Sequence, residues 1–148
     1  ADVRDLYHTF LQIDLLALAL AIKYGDDAWQ TGIVAALYNL SLVENSSKPI
    51  PYAVWAERNN AFHTALISGC NSPILLDIRA QLYRRFDRYC RIAFNLSHTK
   101  LERNHEEHKQ IADAVLDRDI KKTTTLMTHH ILGMLENVIT TLKVNGMF

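Results

Sequence analysis

Asn71-Ser72-Pro73-Ile74-Leu75-Leu76-Asp77-Ile78-Arg79-Ala80-Gln81-Leu82-Tyr83-Arg84-Arg85-Phe86-Asp87-Arg88-Tyr89 reads as the start and most of one long helix. Ser72 is placed to cap the first free N–H groups. Pro73 falls at the first helical position, where its missing N–H has no partner to lose and its fixed φ suits the turn. Leu75, Ile78, Leu82, Phe86 and Tyr89 then recur every three or four residues, the period of one helix face. A half-buried strand would alternate every second residue, and no alternation of useful length occurs anywhere in the chain. The helix is expected to run from Pro73 to about Phe94, with Asn95-Leu96-Ser97-His98 breaking it.

The same grammar extends in both directions. Upstream, a first helix spans about Asp5 to Tyr24 and stops at Gly25, read as the residue just past a helix end. Asp26 or Asp27 caps a second helix reaching roughly Val43. Asn45-Ser46-Ser47-Lys48-Pro49-Ile50-Pro51 is the clearest loop. A third helix runs from about Tyr52 to Ser68 and stops at Gly69. Downstream, Thr99 and Glu102 form a capping box for a fifth helix ending near Leu116. Asp119 opens a sixth that continues to about Leu142. Six helices with short connections imply an all-α antiparallel bundle, one domain over residues 1–148 with no internal repeat.

The 148-residue length suits one domain, and a 49% hydrophobic content supplies a real core. Sixteen Lys plus Arg balance sixteen Asp plus Glu, so there is no bulk electrostatic footprint for nucleic acid. Cys70 and Cys90 form no spacing motif, which suggests free thiols in a reducing, cytoplasmic compartment. The apolar run Ile13 to Ile22 is too short to span a bilayer and carries Asp14, so it reads as a core helix and no membrane role is expected. The chain begins inside a helical pattern without an initiating Met, as a fragment or a processed chain would. No P-loop, nucleotide fingerprint or nucleophile elbow is visible, and Ser41, Ser68 and Ser97 lack the context of one.

Polar side chains on otherwise apolar rows carry the chemistry. On the third helix the row is Tyr52, Ala56, Asn59, His63 and Leu66 or Ile67. On the fifth it is Leu101, Asn104, His108, Ile111 and Val115. On the sixth it is Thr123, Met127, His130, Met134 and Asn137. His129 points about 100° away from His130, so His130 is the inward histidine. Asn59 and His63, four apart, share a face. Two further imidazoles arriving from other helices would complete a donor set that Zn²⁺ or Ni²⁺ accepts. A lone inward histidine is more often a hydrogen-bonded core residue than a ligand; three on three helices strengthen the metal reading.

These residues carry a family resemblance that covers almost the whole chain. Asn59 through Phe62-His63 with Ser68-Gly69-Cys70-Asn71, then Glu107-His108 with Ile111, Ala114 and Arg118-Asp119, then Met127-Thr128-His129-His130-Ile131 form an ordered set. It resembles the C-terminal effector-binding (FCD) domain of GntR-superfamily, FadR-type transcription regulators. Six helices resemble the VanR-like branch. Asp2-Val3-Arg4-Asp5 with Trp29 and Val34-Ala35-Ala36 looks like the carbon-starvation-regulator subgroup. The resemblance implies that Asn59, His63, His108 and His130 hold a divalent metal and that the domain dimerises. It also implies a small-molecule effector and, before it in the chain, a winged-helix DNA-binding domain that these residues do not include. DNA would be contacted only through that module, and this segment alone is expected to bind none. Family members commonly carry Arg and Glu four apart in the first helix, where this chain has Phe10 and Asp14. Asn59 stands in place of the more common Asp, and Thr123 in place of a usual Ala.

Three imidazoles and one side-chain oxygen leave positions of an octahedral shell open for water or a bidentate carboxylate. Asn59 is a neutral ligand, so the site keeps the metal's full charge; metal affinity should weaken and attraction for an anion strengthen. Arg88, on the half-polar row Ile74, Gln81, Arg88, Ile92 and Asn95, is the candidate effector-binding cation because its fork suits a carboxylate. The expected function is thus a sensor and not an enzyme. Two alternatives stand beside it. One is a metal-free dimerisation or apolar-ligand module. The other is a di-metal carboxylate enzyme, for which Glu102-Arg103-Asn104-His105 supplies one Glu-x-x-His where two are needed, with no suitable buried Glu expected from the first three helices.

Overall fold

The computed structural model describes residues 2–97 and 101–147. Six helices follow one another: α1 (Asp2–Tyr24), α2 (Asp27–Glu44), α3 (Tyr52–Ile67), α4 (Pro73–Ser97), α5 (Leu101–Leu116) and α6 (Ile120–Val144), with a 3-10 turn at Ser68–Cys70. No strand occurs among the described residues, so the all-α six-helix bundle expected from periodicity is what forms. α4 continues through Asn95-Leu96-Ser97, where a break was expected; His98 and Thr99 lie outside the described residues, as does the side chain of Glu102, and with them the expected capping box.

The caps that fall within the described residues act through named side chains. Asp26 accepts from the Trp29 N–H and Asp119 from the Lys122 N–H, each satisfying a free donor of its helix. Ser72 Oγ accepts from Leu75 N at 3.2 Å. Gly25 follows α1 as expected, but for another reason. Its φ is not positive, and a Cβ there would lie 2.2 Å from the Trp29 ring. Glycine is required by close approach and not by a left-handed turn. The left-handed residue after α3 is Asn71, with φ 60°. Trp29 is the wedge at this junction: its Nε1 donates to Leu66 O at 3.0 Å, and Gly69 lets its backbone pass the indole closely. Arg118, in the left-handed region, donates to the carbonyls of Ile22 and Gly25 and lies over the Trp29 ring, tying the α5–α6 corner to the end of α1.

α1 is the central helix and packs on α3, α4 and α6. It is long and apolar enough to cross a membrane, yet half of its most apolar window is buried in the protein, and Asp14 is among the buried residues. Tyr7, Phe10, Ala17, Leu18 and Ala21 face inward from it. Phe86 of α4 stacks on Phe10 at 4.5 Å and lies 4.4 Å from Tyr7, fixing α4 against α1. The inward row of α4 is Leu75, Arg79, Phe86 and Ala93. Ile78, expected on that apolar face, is instead 42% exposed, and Asn137, expected on the inward row of α6, is exposed. Each face departs from the expected row at one position: α4 buries Arg79 in place of Ile78, and α6 buries Val138 in place of Asn137, while Leu75, Phe86, Thr123, Met127 and His130 are buried as expected.

Candidate metal centre

Three helices deliver one imidazole each to a single point. His63 of α3, His108 of α5 and His130 of α6 are all buried, and one ring nitrogen of each lies within 4.8 Å of the others. Their ring centroids form a near-equilateral triangle of 5.1, 5.4 and 4.9 Å. The Nε2 atoms of His63 and His108 face one another at 3.3 Å. Phe62 covers one side, with its ring 5.3 Å from both His63 and His108. Asn59, one turn before His63 on the buried face of α3, has its Oδ1 buried without a hydrogen-bond partner among the described residues. His130 Nε2 is in the same condition. Unpartnered buried polar atoms are rare in folded proteins and call for a cause. His129 is exposed, as its phase on the helix requires.

The outer nitrogens are held from behind by carboxylates. Glu44, 1% exposed at the end of α2, places Oε1 3.0 Å from His108 Nδ1 and 3.2 Å from His105 Nδ1, and its Oε2 accepts from Trp55 Nε1 at 2.9 Å. Glu107 Oε1 lies 2.7 Å from His130 Nδ1. The expectation that the first three helices offer no buried Glu is therefore corrected. α2 runs one residue past its expected end, and that residue turns its carboxyl into the core.

Burial and the facing imidazoles set the charges. Burial, then the neighbouring His108 and His130, hold His63 well below the ordinary imidazole range; burial and His130 do the same to His108. Both are neutral at neutral pH, the form in which imidazole ligates a metal. Burial pushes Glu44 up to about 7, against the N–H donations from Trp55 and His105. The hydrogen bond from His130 holds Glu107 below the usual carboxylate range.

The cation nearest this cluster is not Arg88. Arg88 is exposed on α4, nine residues and half a rotation from Arg79, which points inward. Arg79 is 4% exposed and places Nε 3.1 Å from Asp14 Oδ1 of α1. Its Nη1 lies 3.5 Å from Asn60 Oδ1, and its guanidinium covers the Phe10 and Tyr83 rings at 5.1 and 5.5 Å. Arg79 is close enough to His63 to depress its basicity further. Burial raises the Asp14 pKa against the opposing pull of Arg79. Sequence reading passed over Arg79 and Glu44, although Leu75-Arg79-Leu82-Phe86 and Ile33-Leu37-Leu40-Glu44 each follow helical spacing onto a buried face.

The comparisons agree with this architecture. A model of the FCD domain family matches residues 5–133. The HTH-type transcriptional repressor GlaR of Escherichia coli (strain K12) is 33% identical over 137 residues, which is 88% of this chain and 61% of that protein. The uncharacterized HTH-type transcriptional regulator BphR of Paraburkholderia xenovorans (strain LB400) is 34% identical over 134 residues, 88% of this chain and 54% of that protein. The chain therefore spans about half to three-fifths of the length of the curated relatives it matches. Among solved structures, the metal-free FCD domain of TM0439 superposes with a TM-score of 0.75 at 14% identity, covering 96% of this chain and 94% of that one. E. coli McbR/YncC superposes with a TM-score of 0.78 at 17% identity, covering 96% of this chain and 65% of that one. At those identities the likeness is one of fold.

Proposed function

The chain belongs to the FCD domain family of GntR-type regulators, and on that premise we propose that it is the effector-sensing domain of a bacterial transcription regulator. In this reading it binds a divalent metal and a small carboxylate. The observation that carries the reading is the convergence of His63, His108 and His130 on one buried point, with His130 Nε2 and Asn59 Oδ1 left without partners. A cation would give all four atoms a partner, and the two left without one support the reading. When bound, the metal supplies a concentrated positive charge that attracts a carboxylate.

The chain's own residues do the rest. His63 and His108 present neutral nitrogens and Asn59 offers an uncharged oxygen, so none of these cancels the charge they surround. Arg79 is the cation suited to the second end of an anion: Asp14 occupies its Nε, and among the described residues its terminal nitrogens make only the long contact to Asn60. Phe62 shields one side from water. The family and relatives are transcription regulators, which argues against the di-metal enzyme reading.

The full protein would carry a winged-helix DNA-binding domain before residue 1 and act as a homodimer in the cytoplasm. Exposed Leu16 on α1 with Ile74 and Ile78 on the adjacent α4 supply apolar surface for pairing. Effector binding would shift the bundle between two packings and so reorient the attached domain, through different affinities for the two states.

The test is metal analysis of the purified chain, followed by melting with and without chelator and a carboxylate series. A ligand at a hundred times its Kd stabilises by about 2.7 kcal/mol, roughly 5–10 °C at this size. Carboxylates should raise the Tm only when metal is present, and His108→Ala should lose the metal. No metal in the untreated sample, together with an unchanged Tm in chelator, would sink the reading.

A further inference from the structure

We infer that Glu44 and Glu107 are positioning residues that fix the tautomers of His108 and His130, each imidazole holding its proton on Nδ1 and turning a bare Nε2 to the centre. The inference rests on the metal reading for its purpose but not for its geometry. Glu44 is enclosed by three nitrogens from two helices. Trp55 Nε1 can only donate, and it occupies Oε2 at 2.9 Å. Oε1 is left with two imidazole nitrogens, His105 Nδ1 at 3.2 Å and His108 Nδ1 at 3.0 Å. A proton on Oε1 would be donated to one of them and leave only a neutral hydroxyl oxygen, a weaker acceptor, for the other. A carboxylate that accepts from all three satisfies every contact at once, and it requires Nδ1–H on both imidazoles. Glu107, 2.7 Å from His130 Nδ1, makes the same demand on His130, whose Nε2 is the buried atom with no partner.

His63 has no carboxylate behind it among the described residues. With His108 Nε2 bare, the 3.3 Å contact is a hydrogen bond only if His63 carries Nε2–H and donates it. The three ligands therefore divide into two preset acceptors and one whose inward nitrogen holds a proton in the metal-free protein. That proton must leave Nε2 before His63 can ligate, with one taken up at Nδ1, so that the ring stays neutral and turns a bare Nε2 to the centre. Carboxylates behind metal-binding imidazoles orient the ring and raise its basicity; removing one typically weakens metal binding about 10–100-fold.

Gln at position 44 reverses the preference. Trp55 still donates, so the amide turns its oxygen to the indole and its NH₂ to the two imidazoles. Their Nδ1 atoms must then accept, which moves the His108 proton onto Nε2.

Long-range ¹H–¹⁵N spectra of the metal-free whole chain read the tautomers directly. The expected spectrum shows Nδ1–H for His108 and His130 and Nε2–H for His63. In Glu44→Gln, His108 should switch to Nε2–H, and affinity for Zn²⁺ or Ni²⁺ should fall about 10–100-fold, with helix content by circular dichroism retained. Glu107→Gln should act on His130 in the same way. Nε2–H on His108 in the unmodified protein overturns the assignment, and so does a Glu44→Gln protein with unchanged tautomer and affinity. If Glu44→Gln does not fold, the unmodified spectrum and Glu107→Gln still decide. Failure of the unmodified chain to bind either metal defeats the metal reading while leaving the tautomer result standing.

Discussion

Asp14→Asn and Arg79→Met should be equally damaging at pH 7 and unequal at pH 5. The pair joins α1 to α4 through one hydrogen-bonded contact of 3.1 Å, with side chains 5% and 2% exposed for Arg79 and Asp14. Asparagine at 14 leaves a guanidinium that stays charged at any ordinary pH. An uncompensated buried charge of this kind costs about 3–5 kcal/mol. Methionine at 79 can lie over Phe10 and Tyr83 as the arginine stem does, but it strands the Asp14 carboxyl. That carboxyl has an escape, because it can take a proton. Burial already raises its pKa and Arg79 is what opposes the rise, so removing Arg79 raises it further.

The sign follows from proton counting. An acid whose folded pKa is raised holds its proton in the native state while the unfolded chain, with an ordinary value near 3.9, has lost it. Stability then falls as pH rises between the two values, by about 1.4 kcal/mol per unit. Keeping Asp14 neutral at pH 7 therefore costs up to about 4 kcal/mol, comparable to the stranded arginine, and at pH 5 only about 1.5 kcal/mol. Urea unfolding of metal-free protein, each variant compared with the parent at the same pH, cancels the contributions of the histidines and Glu44. Arg79→Met should regain stability relative to the parent between pH 7 and pH 5, because removing Arg79 raises the Asp14 pKa beyond its already raised value in the parent, and Asp14→Asn should regain none. Two variants with the same pH-independent deficit, or an Asp14→Asn loss below about 1 kcal/mol, would refute a buried, mutually dependent pair.

Three further outcomes follow from the same structure. Gly25→Ala pushes a methyl to within 2.2 Å of an indole that is itself tied to Leu66 O; it should cost about 1–3 kcal/mol and lower the Tm by several degrees, and an unchanged Tm would mean that Trp29 can move. Thr123 Oγ1 is buried without a partner among the described residues, so the isosteric Thr123→Val should stabilise metal-free protein by up to about 1–2 kcal/mol, and a loss in chemical denaturation would show that the hydroxyl is bonded after all. Asn59→Asp adds a negative charge beside the three imidazoles; metal titration should show about tenfold tighter binding or better, near 1.4 kcal/mol, while the carboxylate-induced Tm shift shrinks, and a change of both in one direction would contradict the charge argument.

How much of this was legible in the chain depended on how far apart the partners lie. Helix bounds need only local grammar, and the caps at Asp26, Ser72 and Asp119 act where spacing puts them. The choice of His130 over His129 needed only the angle between successive residues. Arg79 needed more. It sits among Arg84, Arg85, Arg88 and Arg91 on one helix, and Asp14, the residue that makes it different, is 65 positions away. Arg88 shares a half-polar stripe with Gln81 and Ile92 and is exposed, whereas Arg79 lies on the apolar face with Leu75 and Phe86, where an arginine is not expected until its carboxylate partner is known. Glu44 closes a helix next to Asn45-Ser46-Ser47, where a carboxyl ordinarily points to water, and its imidazole partners lie 61 and 64 residues on. Gly25 shows the opposite case: a correct helix end, with its reason supplied by an indole and not by backbone torsion.

The arrangement has a mechanical consequence for the proposed sensor. His63, His108 and His130 come from α3, α5 and α6, and Glu44 extends the same cluster to α2, while Arg79 and Asp14 bring α4 and α1 to its edge. Every helix of the bundle thus places a polar group at or beside one small volume. Without a cation, the three imidazoles share a single contact between two inward nitrogens and leave the third unpaired. A cation holding all three would add bonds among helices already joined there by the His63–His108 and Glu107–His130 contacts. Moving a two-state equilibrium from 1:99 to 99:1 takes about 5.5 kcal/mol of differential binding. A carboxylate spanning the metal and Arg79 would link α4 to α3, α5 and α6 at once, so its affinity would depend directly on how those helices sit. An occupant on the protein surface would touch one or two of them and could not exert that leverage. The polar interior of this bundle is therefore best understood as the point through which its packing is controlled.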